Sequence, residues 1–167
     1  MVRAKRPVRA PVVLTQAEVS RLLEHLHGVK WLMGSLLYGA GLRQIKCLAL
    51  RVKDVDFAYR QITVREGKGG KDRVTMLPEQ VVQPLQAHLG RVQTLHRRDL
   101  AAGHGEVSLP NALARKYPRA GREWAWQFVF PSKNLSADPE SGVIRRHHVF
   151  PDTLGRAVKE AARAGVG

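Results

Sequence analysis

The stretch Ile62-Thr63-Val64-Arg65-Glu66-Gly67-Lys68-Gly69-Gly70-Lys71-Asp72-Arg73-Val74-Thr75-Met76-Leu77-Pro78 shifts the chain's apolar period from helical to alternating. Ile62 and Val64 alternate with polar neighbours, and so do Val74 and Met76, as in half-buried strands whose successive side chains point to opposite faces. Between them, Gly67-Lys68-Gly69-Gly70 supplies residues that reach positive φ without steric cost. The stretch predicts a β-hairpin. Pro78, preorganised for a first helical turn, opens a long helix carrying Val81, Val82, Leu85, Leu89, Val92 and Leu95.

Upstream, Thr15 and Glu18 form a capping box, and Val19, Leu22, Leu23 and Leu26 continue the apolar stripe of a first helix that Gly28 ends. An almost wholly apolar second helix is expected from about Val29 to Tyr38, buried on most faces. Gly39 and Gly41 flank a break before a short third helix near Arg43. Downstream of Gly103 come a short helix over Asn111 to Lys116 and the run Trp124-Ala125-Trp126-Gln127-Phe128-Val129-Phe130. Its alternation predicts a half-buried strand with Trp124, Trp126, Phe128 and Phe130 on one face and Gln127 and Val129 on the other. Pro131 to Gly142 reads as a polar loop, Val143 to Phe150 as a short strand, and Pro151 to Ala164 as a last helix. The expected fold class is α+β: mainly helical, with a small antiparallel sheet.

The 167 residues suffice for one domain. Lysine and arginine total 28 against 14 acidic residues, a formal charge of +14. Such a surplus calls for a polyanionic partner, of which nucleic acid is the commonest. No helix pairs a basic face with a broad exposed apolar one, as a membrane-surface binder would, and no apolar run approaches the roughly 18 residues of a span. With a single cysteine, Cys47, there is neither a disulfide framework nor a thiolate metal cluster. Its apolar helical register reads as a small buried residue. The basic start has no signal-peptide apolar region, so a cytoplasmic location is expected. Residues 1–13, with Arg3, Lys5, Arg6, Arg9, Pro7 and Pro11, read as an extended basic linker.

Gly41-Leu42-Arg43 followed by a glycine-bounded lysine on a hairpin resembles the tyrosine site-specific recombinases. Leu50-Arg51-Val52-Lys53-Asp54-Val55-Asp56-Phe57, the block Gly67 to Pro78, and Leu109-Pro110-Asn111-Ala112-Leu113-Ala114-Arg115-Lys116-Tyr117-Pro118 sharpen the likeness to the integron integrases. So do Trp124 to Ser132 and His147-His148, and the likeness runs from Val12 onward. It implies that residues 14–167 are part of a catalytic domain that includes an integron-type insertion at about 96–130. That family cuts and rejoins DNA through a tyrosine, leaving a 3′-phosphotyrosyl link, without a cofactor. Arg43 would then neutralise charge on the non-bridging phosphate oxygens. Lys68 would be the general acid toward the leaving 5′-oxygen, with Lys71 a competing candidate on the same turn. Lys71 and Arg73 are expected to position phosphates.

The resemblance also marks departures. The family completes its site downstream with a His-x-x-Arg motif, a further His or Trp, and the nucleophilic tyrosine. The one His-x-x-Arg here, His88 to Arg91, lies in the long helix and reads as surface residues. Tyr117 belongs to its Arg-Lys-Tyr-Pro block, while Tyr38 and Tyr59 precede the hairpin turn. The chain is therefore expected to end before the nucleophile and to bind DNA without cutting it alone. Where the family has a glutamate one helical turn after Arg43, this chain has Lys46, which removes a carboxylate that could hold the guanidinium.

The integron-type likeness implies recognition of folded single-stranded hairpins through bases that protrude from them. Trp126, His147 and His148 resemble the grip, with Arg115 and Lys116 near the backbone. Flat rings stack on extruded bases at about 1–3 kcal/mol each, although Trp126 also reads as a core strand residue. His147 and His148 have no Cys or acidic partner at ligand spacing, so no metal is expected. Two other functions fit the composition: a non-catalytic DNA-binding or regulatory module, and a generic basic RNA-binding protein. Self-association is also expected, through apolar surface on the second helix.

Overall fold

The computed structural model of the protein describes residues 13–65 and 70–165. The basic segment ahead of Val13 and the turn residues Glu66 to Gly69, Lys68 among them, lie outside the described residues.

Helix α1 (Gln16–Glu24) begins at the expected capping box. Thr15 Oγ1 accepts from the Glu18 amide at 3.2 Å, and a Glu18 carboxylate oxygen accepts from the Thr15 amide at 2.7 Å. Gly28, expected to end this helix, instead opens α2 (Gly28–Gly39). Leu32, Met33, Gly34, Ser35 and Leu36 are buried in succession, because α2 packs against α1, α3 (Gln44–Leu48), α4 (Glu79–Ala101) and α6 (Pro151–Gly165). On α2 only Tyr38 is a large exposed apolar side chain, and further ones stand at Ile45, Val74, Met76 and Phe150. Close approach explains Gly39: a Cβ there would lie 2.6 Å from the Pro78 ring. This contact seats the start of α4 against the break that precedes Arg43.

The hairpin is present with one extra strand. Strands β1 (Val55–Asp56), β2 (Gln61–Val64) and β3 (Arg73–Met76) form an antiparallel sheet in the order β1-β2-β3, with Ile62 opposite Thr75 and Val64 opposite Arg73. Ile62 and Val64 point into a core that includes Met33, Leu36, Leu48, Leu77, Leu85, Phe130 and Leu154. Val74 and Met76 alternate out to solvent. Cys47 is buried in the same core, where desolvation pushes its thiol pKa up to about 12.

The aromatic run departs from the expected strand. Trp124–Trp126 is a turn of 3-10 helix, and the next residues pair with the stretch after α3. The Val52 amide donates to Gln127 O at 2.9 Å, and the Val129 amide donates to Leu50 O at 2.8 Å. So short a pairing, packed on both sides, has no solvent face. Phe128, Val129 and Phe130 are buried consecutively while Trp124 and Trp126 stay half-buried. Only Ile144–Arg145 (β5) of the expected strand over 143–150 forms, pairing with Ser136–Ala137 (β4) inside the expected loop. Among the described residues no helix is long and apolar enough to cross a membrane.

His88 is not a surface residue. It is buried on α4, with Nε2 2.7 Å from Val129 O, and His96 Nε2 lies 3.0 Å from Arg122 O. The two imidazoles fasten the segment around Ala120 to Phe130 onto the long helix. Desolvation is the main cause lowering both pKa values below the usual 6.5. A depressed histidine pKa means that the unfolded chain binds the proton more readily, so stability is complete above about pH 6.5 and declines as pH falls below it. The melting temperature is expected to drop between pH 7 and 5, with a shallower drop for His88→Gln, which keeps an amide donor and does not titrate. A pH profile of equal steepness in the variant would contradict this role.

Candidate functional site

Arg43 is the N-cap of α3, in extended conformation (φ −71, ψ 147), and its carbonyl accepts the Lys46 and Cys47 amides, each at 3.0 Å. Gly41 just before it takes φ +64, which makes glycine the suitable residue at this break. The Arg43 side chain is exposed, and among the described residues it enters no ion pair. Strand β3 is stitched to the same break: Thr75 Oγ1 donates to Ala40 O at 2.9 Å, and Arg73 Nη2 donates to Gly41 O at 3.1 Å. Arg43 and the hairpin are thus brought together through backbone carbonyls. Arg73, expected from sequence to position phosphate, is here tethered to the Gly41 carbonyl.

The two legs of the hairpin are also pinned. Arg65 donates through Nε to Asp54 Oδ1 at 3.1 Å and through Nη1 to Asp72 Oδ2 at 3.0 Å. Asp54 is buried and also receives the Arg51 amide at 3.3 Å and the Lys53 ammonium at 3.4 Å. Lys71, next to Asp72, is exposed. The Lys46 ammonium donates to the Arg65 carbonyl, where the chain leaves β2. Lys46 thereby caps the end of the hairpin's first strand.

Between α3, β2 and α5 (Asn111–Lys116) lies a groove of about 410 Å³ whose lining includes Lys46, Arg51, Lys53, Arg65, Leu113 and Trp126. Four cations against the single carboxylate of Asp54 leave it electropositive. Trp126 stands at this groove with Lys53 Nζ 4.5 Å from its ring centroid. The Arg51 guanidinium lies 5.7 Å from the Trp126 centroid and 4.4 Å from that of Phe128. His148 meets the Phe128 ring edge-on, with centroids 5.3 Å apart. Two residues singled out by sequence, Trp126 and His148, are therefore joined through Arg51 and Phe128. Burial lowers the Arg51 pKa, but a guanidinium stays protonated at neutral pH.

His147 is half-buried, and its carbonyl accepts the Ser132 amide at 2.7 Å; its buried Nε2 has no hydrogen-bond partner among the described residues. Arg115 and Lys116 occupy the exposed last turn of α5, with Lys116 Nζ 5.4 Å from the Tyr117 ring centroid. Among the described residues no group of three or more His, Cys, Asp or Glu is placed to hold a metal ion. Sequence reasoning missed Arg51 as a site residue, because its bond to Trp126 O spans 75 residues and no local spacing encodes it.

A model of the phage integrase family matches residues 12–165. The chain belongs to this family, that of the tyrosine recombinases. It is 50% identical over 159 residues to an integrase/recombinase of Escherichia coli, covering 95% of this chain and 47% of that protein. An integrase/recombinase of Pseudomonas aeruginosa matches to the same extent. The tyrosine recombinase XerA of Pyrococcus furiosus is 38% identical over 90 residues, 52% of this chain and 32% of its own. The crystal structure of a XerA recombinase superposes with a TM-score of 0.59 at 23% identity, covering 99% of this chain and 46% of that one, a likeness of fold. The chain spans about half the length of the integrase/recombinase relatives it matches.

The pair that carries the His147-His148 segment is testable. Arg146 donates to Asp99 through Nε at 2.6 Å and Nη2 at 2.9 Å, and through Nη1 to Ser132 O at 3.0 Å. Both side chains are nearly buried. Arg146→Ala would strand the Asp99 carboxylate, and a loss of about 3–5 kcal/mol is expected in denaturant unfolding. A loss below about 1 kcal/mol, the range of an exposed pair, would contradict the assignment.

Proposed function

We propose that residues 1–167 form the phosphate-gripping part of an integron-type site-specific recombinase, and that by themselves they bind DNA without cleaving it. The observation that carries this reading is Arg43, exposed and free of ion pairs among the described residues, on a helix cap that follows the break to which β3 is stitched. In the complete recombinase, Arg43 would neutralise the charge that gathers on the non-bridging oxygens as phosphorus is attacked. Lys68, on the hairpin turn, would protonate the leaving 5′-oxygen. Lys71 and Arg73 beside the turn, and Arg115 and Lys116 on α5, would hold neighbouring phosphates. The groove at Trp126, linked to His148 through Phe128, supports the finer assignment to the integron type, in which the rings grip bases extruded from a folded single strand. His147 belongs to the same segment. The three tyrosines, Tyr38, Tyr59 and Tyr117, have no place in the nucleophile role on this reading.

Salt titration against a hairpin with extruded bases and against a matched perfect duplex tests the reading. Affinity for both should fall steeply with salt, since phosphate contacts release counterions, and the hairpin should bind more tightly. Arg43→Ala should weaken binding to both. Trp126→Ala should cost about 1–3 kcal/mol on the hairpin alone, the worth of one stacked base. Equal affinity of the unmodified protein for both DNAs would leave charge as the only binding force. A nicked suicide substrate should trap no protein–DNA adduct, and a covalent adduct would overturn the non-cleaving half of the proposal.

A further inference from the structure

Trp126 sits where a short turn meets the buried pairing that starts at Gln127. It ends a single 3-10 turn, Trp124–Trp126, and is only half-buried. A ring that wobbles on such a turn would lose much of its stacking energy to ordering on contact, so a base-gripping platform needs preorganisation.

One side chain provides it. Arg51 Nη1 donates to Trp126 O at 2.7 Å and Nη2 donates to Ser108 O at 2.8 Å. Its guanidinium lies against Phe128, 4.4 Å from the centroid, and within 5.7 Å of the Trp126 centroid. A single fork thus holds the backbone of the Trp126 turn, lies beside its ring, and joins that turn to the run leading into α5. With both terminal nitrogens given to carbonyls, Arg51 is poorly placed to take a phosphate. Lys53, whose Nζ lies 4.5 Å from the Trp126 centroid and 3.4 Å from Asp54 Oδ1, brings a second cation to the ring.

We propose that Arg51 is the positioning residue of the Trp126 platform, fixing the ring at the cationic groove and so setting the preference for DNA with an extruded base. The inference rests on the reading that Trp126 stacks on such a base. It separates cleanly from a general role in charge, because lysine keeps the charge and loses the planar fork.

The experiment compares Arg51→Lys, Phe128→Leu and Trp126→Ala with the unmodified protein, measuring affinity for the extruded-base hairpin and the perfect duplex across salt. Arg51→Lys leaves the salt slope unchanged, since slope counts phosphate contacts, while hairpin preference falls at least about fivefold, toward that of Trp126→Ala. Phe128→Leu, which removes the ring under the guanidinium and retains every charge, shifts the preference in the same direction. It decides the matter if Arg51→Lys fails to fold. If Trp126→Ala abolishes the preference while the folded Arg51 or Phe128 variants keep it, the positioning role is overturned and the base-gripping reading stands. If Trp126→Ala leaves the preference intact, the base-gripping reading falls and the inference with it.

Discussion

The short pairing of Leu50–Val52 with Gln127–Val129 is the constraint on which the rest of the structure depends. It joins the half of the chain that holds Arg43 and the hairpin to the half that holds the aromatic run. Once Phe128, Val129 and Phe130 are buried by it, His88 and His96 on α4 have carbonyls to meet, and Arg51 has rings to lie on. Few hydrogen bonds make the pairing, but they lie in the core, where an unmatched amide or carbonyl costs about 1–3 kcal/mol. The geometry therefore leaves little freedom in register.

A chain with a formal charge of +14 could be expected to spend its few carboxylates on its cations. Several of the decisive cations here also use backbone carbonyls. Arg51, Lys46, Arg73 and Arg146 all donate to main-chain oxygens. A carbonyl satisfies hydrogen-bonding capacity without cancelling charge, so side chains are held in place while the surface stays electropositive. Carboxylates appear where two elements must be locked: Asp54 at the foot of the hairpin and Asp99 under Arg146.

Much of the fold was legible in sequence because it is written in local patterns. The capping box of α1, the alternation in β2 and β3, and the apolar period of α4 each act over a few residues. Arg43 and the hairpin were legible as neighbours only through likeness to a family, since their contact runs through carbonyls of Ala40 and Gly41 that carry no side-chain signal. The aromatic run misled because alternation is produced by a strand with one wet face, and here the paired residues are packed on both sides. His88 misled for a related reason: a histidine on a helix face reads as polar, and only a carbonyl arriving from Val129 makes its burial tolerable. Arg51 was invisible as a site residue because its partners are remote in the chain.

That remoteness has a consequence for synthesis. Arg51 and the Trp126 carbonyl it binds are 75 residues apart. At about 5–20 residues per second, a ribosome needs roughly 4–15 s to deliver the second after the first. For that interval the Leu50–Val52 segment has no Gln127–Val129 to pair with, and Arg51 has no Trp126 carbonyl to bind. An edge left unpaired is where another chain can add. The nascent protein thus passes through a stage in which its own aromatic segment competes with whatever else can reach that edge.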